Sequence, residues 1–174
     1  TDHKTLTYRD EINASAKEGE ELIKASAAGI CGSDMHAYHG LDERRIPPLI
    51  LGHEISGINQ TDNSPVVINP LITCGKCQEC SDGREHICSN RSLLGMTKPV
   101  ARAGGFAEFV AAPSQNVFSV PLSANLQDLA LTEPTAVAFH AIKIAEQVSF
   151  KKINKAKILI IGGGAIGLLL ALVL

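Results

Sequence analysis

Apolar positions in this chain first come in short runs broken by Gly, Pro and charged residues, and later take up helical spacing. The run Glu20 to Ile30 reads as a strand leading into a glycine turn. Pro47-Pro48 precede the short apolar run Leu49-Ile50-Leu51, which Gly52 ends. Residues 60–65 are turn formers, and Val66 to Ile68 is a second short strand. From Gly104 to Val110 apolar and polar residues alternate after a glycine pair, as in a half-buried strand, and Asn116 to Pro121 is a further extended piece. Many short strands with Gly and Pro punctuation predict a mainly β, barrel-like domain. Ser123 to Val148 is rich in Ala, Leu, Glu and Gln at helical spacing, and Pro134 is expected to break or kink it. Lys157 to Ile161 reads as a buried parallel strand, and Gly162 to Leu174 as a turn entering a helix.

Composition narrows this picture. A chain of 174 residues suits one full domain and the start of a second. Aromatic residues make up 4% and Trp is absent, so the core must be Val, Ile, Leu and Ala. With 16 basic against 18 acidic residues, nothing in the charge favours nucleic acid or an anionic membrane as partner. Thr1-Asp2-His3-Lys4 opens without an apolar signal segment, so a cytoplasmic location is expected. Ile158 to Leu174 is uncharged and carries a Gly163/Gly167 pair, but it sits at the lower edge of spanning length and has glycines at its centre. No membrane span is expected.

The cysteines carry the first chemistry. Four of the five follow the spacing Cys74-x2-Cys77-x2-Cys80-x7-Cys88, in a segment with few large apolar residues. A C-x2-C pair lets two sulfurs from one tight turn face the same ion, and four thiolates satisfy tetrahedral zinc with no open position. Binding a metal would order a loop that has no core of its own. Disulfides would suit an exported protein, and four free thiols so close together would be an accident. An iron–sulfur cluster is the chemical rival, since C-x2-C-x2-C opens the bacterial ferredoxin run. That run continues with x3-C-P, and here the fourth Cys comes later. Structural zinc is the expectation.

The fifth cysteine, Cys31, sits in Gly29-Ile30-Cys31-Gly32-Ser33-Asp34-Met35-His36, and His53-Glu54 follow Leu51-Gly52. A Cys, a His and a carboxylate can hold a catalytic zinc if one position stays open. Alone, a buried Cys is usually a small hydrophobe, and a lone His is usually just hydrogen-bonded.

Four stretches together resemble the zinc-dependent medium-chain alcohol dehydrogenases, nearest their polyol and threonine dehydrogenase branch. They are Ala28 to His36, Leu51 to Glu54, Asn69 to Cys77 and Glu133 to His140, in the family's order. The resemblance implies a GroES-like barrel over residues 1–140 and the first βα unit of a truncated Rossmann domain over 141–174. It implies two zinc ions per chain, one catalytic and one structural. Cys31 and His53 match catalytic zinc ligands, with Glu54 or Glu133 completing the set. Ser33 matches the hydroxyl that contacts the substrate oxygen, His36 a proton-relay residue, and Asp34 a partner of the His ligand that fixes its tautomer. Cys74, Cys77, Cys80 and Cys88 match the structural zinc lobe. The implied reaction is hydride transfer between a small-molecule alcohol, secondary or polyol, and NAD or NADP. A homo-oligomer, dimer or tetramer, is implied for the complete parent chain.

Gly162-Gly163-Gly164-Ala165-Ile166-Gly167 fits G-x-G-x-x-G between an apolar run and a helix-forming segment, the context in which that motif cradles a pyrophosphate. The acidic ribose-binding residue of such folds lies about 20 residues further on. The chain ends before that point, so NAD and NADP are not distinguished and the sequence reads as a fragment. The competing expectation is a zinc-stabilised binding module without activity.

Overall fold

Short β-branched segments with one face apolar can bury that face only by curling into a shared sheet. In the computed structural model, which describes residues 4–12 and 14–174, seven strands form among the described residues. Thr1, Asp2 and His3, on which the leader reading partly rests, lie outside the described residues. The strands are β1 (Glu20–Gly29), β2 (Glu54–Asn59), β3 (Pro65–Ile68), β4 (Leu71–Ile72), β5 (Ser92–Leu93), β6 (Phe109–Pro113) and β7 (Val117–Ser119). Five of them build one curled antiparallel sheet in the order β6-β1-β2-β3-β7. Ile23, Ile55, Val66, Ile68, Leu94 and Val110 form the heart of the core it wraps. The β1–β2 register shifts between Ala25 and Ala27, so Ser26 is the extra residue of a bulge that bends the sheet.

β4 and β5 pair only with each other, Leu71 opposite Leu93 and Ile72 opposite Ser92. They close the neck of the cysteine-bearing loop between them. That loop holds one turn of helix, α2 (Gln78–Ser81), and a 3-10 turn, Glu85–Ile87, and only Cys88 within it is fully buried.

The chain divides into two compact units, Thr1–Ala130 and Leu131–Leu174. The first also carries α1 (Gly32–Tyr38) and α3 (Leu126–Leu129), the latter tied to β2 where the Ser56 hydroxyl donates to the Leu126 carbonyl. In the second, α4 (Thr132–Val148) packs against α5 (Ala165–Val173).

Several expectations need correction. The break expected in residues 123–148 does occur, at Ala130 and Leu131 between α3 and α4, but inside α4 there is none at Pro134. Pro134 is the third residue of α4, where its missing N–H is one that a first turn leaves unused. The helix expected from Ser123 instead begins as the separate turn α3. The strand expected over 104–110 starts only at Phe109, because the N–H groups of Gly104, Gly105 and Phe106 bond the carbonyls of Ile50, Gly52 and Leu51 at 2.8, 2.9 and 2.9 Å. Lys157 to Ile161 forms no strand. Parallel pairing needs a neighbour, none exists among the described residues, and Ile158, Leu159 and Ile161 are exposed. No helix among the described residues is long and apolar enough to cross a membrane.

Ile23 is fully buried at the centre of β1, whereas Leu122 is 87% exposed. Ile23→Ala is expected to cost about 2–5 kcal/mol in urea unfolding. Leu122→Ala should stay within about 0.5 kcal/mol of the parent.

Candidate functional site

The β1–β2 ladder places Gly29 directly opposite Glu54. Two residues past that pair, Cys31 caps α1, and one residue before it stands His53. Strand register therefore brings a thiol, an imidazole and a carboxylate together from two distant chain segments. One ligand atom from each of Cys31, His53 and Glu54 lies within 4.8 Å of the other two. His53 and Glu54 are buried and Cys31 is half-buried. Gly29 is needed for this closeness, since a Cβ there would fall 1.9 Å from Glu54 Oε2.

Asp34, on the first turn of α1 and 2% exposed, fastens the two segments. Its Oδ2 accepts the Cys31 N–H at 3.0 Å, and its Oδ1 the Gly52 N–H at 3.4 Å. Oδ1 also stands 3.6 Å from His53 Nδ1, too far for a hydrogen bond, so that buried nitrogen has no partner. A small approach would let Nδ1–H donate to Asp34. Nε2 would then be the nitrogen offered to an ion, the usual carboxylate–histidine arrangement beside a metal.

The electrostatics describe a site that holds charge only in company. Burial works against the His53 imidazolium, but Asp34 and then Cys31 outweigh it and raise its pKa from 6.5 to about 9. Burial pushes Asp34 up, but His53 and the Cys31 N–H bring it below its ordinary value. Burial raises Glu54, opposed by His53. A cation entering here would replace the proton on His53 and satisfy the carboxylate and thiolate together.

The cysteine lobe forms a second centre. Cys77 Sγ lies 3.4 Å from Cys80 Sγ and 3.8 Å from Cys88 Sγ, and Cys88 Sγ lies 3.6 Å from Cys74 Sγ. All four are free thiols within 4.8 Å of one another. Four sulfurs about 2.3 Å from one tetrahedral ion stand about 3.8 Å apart, close to these separations. Backbone N–H groups of Lys76 and Cys77 bring the Cys74 pKa down to about 6. At Cys77 the Cys80 N–H pulls downward, but burial and the side chains of Cys80, Glu79 and Cys74 push it up to about 12. Crowded thiols resist a second negative charge until a cation arrives.

Of the remaining expected residues, Ser33 lies half-buried on the first turn of α1 and His36 is exposed one turn on. Glu133 lies in the first turn of α4, in the second unit. Gly162, Gly164, Ala165, Ile166 and Gly167 lead into and open α5 in that unit. Gly162 has φ +107°, and a Cβ on Gly167 would fall 1.9 Å from the Gly162 carbonyl oxygen, so this turn requires both glycines. Sequence reasoning missed Gly29. It also missed Arg45, a buried cation within the charged run Asp42-Glu43-Arg44-Arg45.

Comparison with known proteins places these features in context. The model of the alcohol dehydrogenase GroES-like domain matches residues 17–122. The 2-dehydro-3-deoxy-L-galactonate 5-dehydrogenase of Pseudoalteromonas atlantica is 36% identical over 165 residues, covering 89% of this chain and 46% of that protein. Galactitol-1-phosphate dehydrogenase of Escherichia coli superposes with a TM-score of 0.85 at 29% identity, over 97% of this chain and 49% of its own. A zinc-binding dehydrogenase of Sinorhizobium meliloti bound to NADP gives 0.80 at 34% identity, over 93% and 47%. The chain thus spans about half the length of the relatives it matches.

In the metal-free chain, His53 has a folded pKa above its unfolded value, so folding takes up a proton there. The stabilisation from His53 is fully present below pH 6.5 and is lost as pH rises through about 9. Asp34→Asn removes the main cause. NMR titration should then place His53 below 9, and the stability loss over that window should shrink. An unchanged His53 titration would contradict this electrostatic account.

Proposed function

This chain belongs to the alcohol dehydrogenase GroES-like domain family, and from that premise we propose that it is the zinc-holding catalytic part of an NAD(P)-dependent alcohol dehydrogenase. The observation that carries the reading is the gathering of Cys31, His53 and Glu54 around one point, with Asp34 behind His53. Cys31 and His53 are the ligands, with Glu54 or Glu133 supplying the carboxylate. Cys74, Cys77, Cys80 and Cys88 hold a second, structural ion. Their spacing leaves room for one ion rather than a multi-iron core.

Bound zinc supplies Lewis acidity toward the substrate oxygen, and a bound nicotinamide supplies the hydride acceptor. The protein's own residues do the rest. Asp34 holds Cys31 in its turn and stands behind His53 Nδ1, where a small approach on loading would fix the ring in one tautomer. The Ser33 hydroxyl accepts the substrate's proton as it releases its own, and His36 carries the released proton toward water. The turn Gly162 to Gly167 cradles a dinucleotide pyrophosphate at the start of α5, which makes residues 141–174 the first piece of a dinucleotide-binding domain.

The substrate is a secondary alcohol or polyol, in keeping with the galactonate and galactitol-phosphate dehydrogenases among the relatives. On the family resemblance alone, the longer protein is a cytoplasmic homo-oligomer of two or four copies.

Protein purified without chelators is expected to carry about two zinc ions per chain by elemental analysis. Cys31→Ser should lose one and keep the other, and Cys77→Ser should lose the structural ion and loosen the lobe. In the longer protein, Cys31→Ser should lower turnover of a secondary alcohol by orders of magnitude. Full activity in that variant would end this reading, and a single ion unaffected by Cys31→Ser would favour the inactive zinc-stapled module.

A further inference from the structure

Arg45 is 2% exposed, in a stretch of the first unit that contributes nothing to the proposed ligand set. Its Nη1 donates to Asp42, and its Nε donates to the Gly95 carbonyl at 3.2 Å. A buried guanidinium is costly to place, so one that makes these bonds fixes chain register rather than merely filling space. The segments it joins are stitched elsewhere too. The N–H groups of Thr97 and Lys98 donate to the Arg44 carbonyl at 2.8 and 3.2 Å, and the Ile46 N–H donates to Thr97 Oγ1 at 2.6 Å.

What Arg45 grips matters because of what Gly95 touches. Gly95 has φ +74° and leaves room for the Gly52 peptide: a Cβ on Gly95 would stand 3.2 Å from both Gly52 N and Gly52 O. Gly52, at φ +96°, is the residue before His53, and its N–H is the one Asp34 accepts. Gly105 N–H holds the Gly52 carbonyl at 2.9 Å from the other side. The Gly52 turn is therefore clamped, and one jaw of the clamp is set by Arg45.

We propose that Arg45 is a positioning residue for the Cys31–His53–Glu54 metal site, acting through Gly95 on the Gly52 turn that presents His53. This rests on the reading that those three residues hold zinc. Removing Arg45 does not strand a buried charge, because Asp42 keeps its three bonds from Arg44, two from the guanidinium at 2.9 and 3.1 Å and one from the backbone N–H at 3.0 Å. Arg45→Met fills similar volume and can fold with the register loosened. Arg45→Lys keeps a cation beside Asp42 but lacks the planar fork that also reaches Gly95.

Zinc itself is the probe. The chain is challenged with rising chelator, and zinc retained per chain is read beside thermal unfolding, with Cys31→Ser run in parallel to identify which ion leaves. Arg45→Met is expected to release the Cys31-dependent ion at roughly tenfold lower chelator than the parent, the scale of an outer partner of a metal site. The cysteine-cluster ion should leave at the parental concentration and the melting point should hold, with Arg45→Lys in between. Should Arg45→Met fail to fold, Arg45→Lys carries the test. Release at the parental concentration from the folded variant, or equal loss of both ions, overturns the positioning role. A parent chain with no Cys31-dependent ion overturns the zinc reading itself, and this proposal with it.

Discussion

The Asp34 carboxylate is the tie on which the centre depends. Its two oxygens accept the Cys31 and Gly52 N–H groups, and so bind the end of β1 to the turn that enters β2. A carboxylate buried this deeply is costly unless its acceptors are used and a positive partner stands near. The two N–H donors and the adjacent His53 ring meet that requirement. The same contacts that keep Asp34 ionised hold His53 and Cys31 at the distance a single ion needs. Folding and metal chemistry are here one constraint.

Around that tie the chain uses missing side chains as much as present ones. Gly29 leaves the space that the Glu54 carboxylate fills, and Gly95 lies against Gly52 where any Cβ would crowd the peptide. The first space is taken by the Glu54 side chain, and the second by the backbone of the turn that precedes His53. The cysteine lobe obeys a different logic. It has almost no core, its neck is the two-residue pair β4–β5, and its sulfurs stand 3.4, 3.8 and 3.6 Å apart along the series Cys80, Cys77, Cys88 and Cys74, with all four within 4.8 Å of one another. Such a loop is held by its ion or not at all.

Much of this was legible in the residues, and the gaps have physical causes. Cys74, Cys77, Cys80 and Cys88 announced one centre because C-x2-C spacing has few other uses. β1, β3 and α5 followed from apolar runs bounded by turn formers. β2 escaped notice because nearly all of Glu54–Asn59 is buried, so no polar alternation marks it. Gly104 to Phe106 resembled a strand but spends its N–H groups on the 50–52 turn, a long-range choice that local pattern cannot show. Lys157 to Ile161 has the composition of an inner strand, but composition supplies no neighbour to pair with. Arg45 gives no local signal, because its carbonyl partner, Gly95, meets it only in the folded chain.

On the proposed reading the chain holds two ions, one in the cysteine lobe and one between Cys31 and His53. Anomalous diffraction at the zinc edge, from crystals of the metal-replete chain, tests it most directly. Two peaks are expected, one inside the Cys74, Cys77, Cys80 and Cys88 sulfurs and one bonded to Cys31 Sγ and a His53 ring nitrogen. A peak in the cysteine lobe alone, with Cys31 and His53 bare in metal-replete crystals, would contradict it.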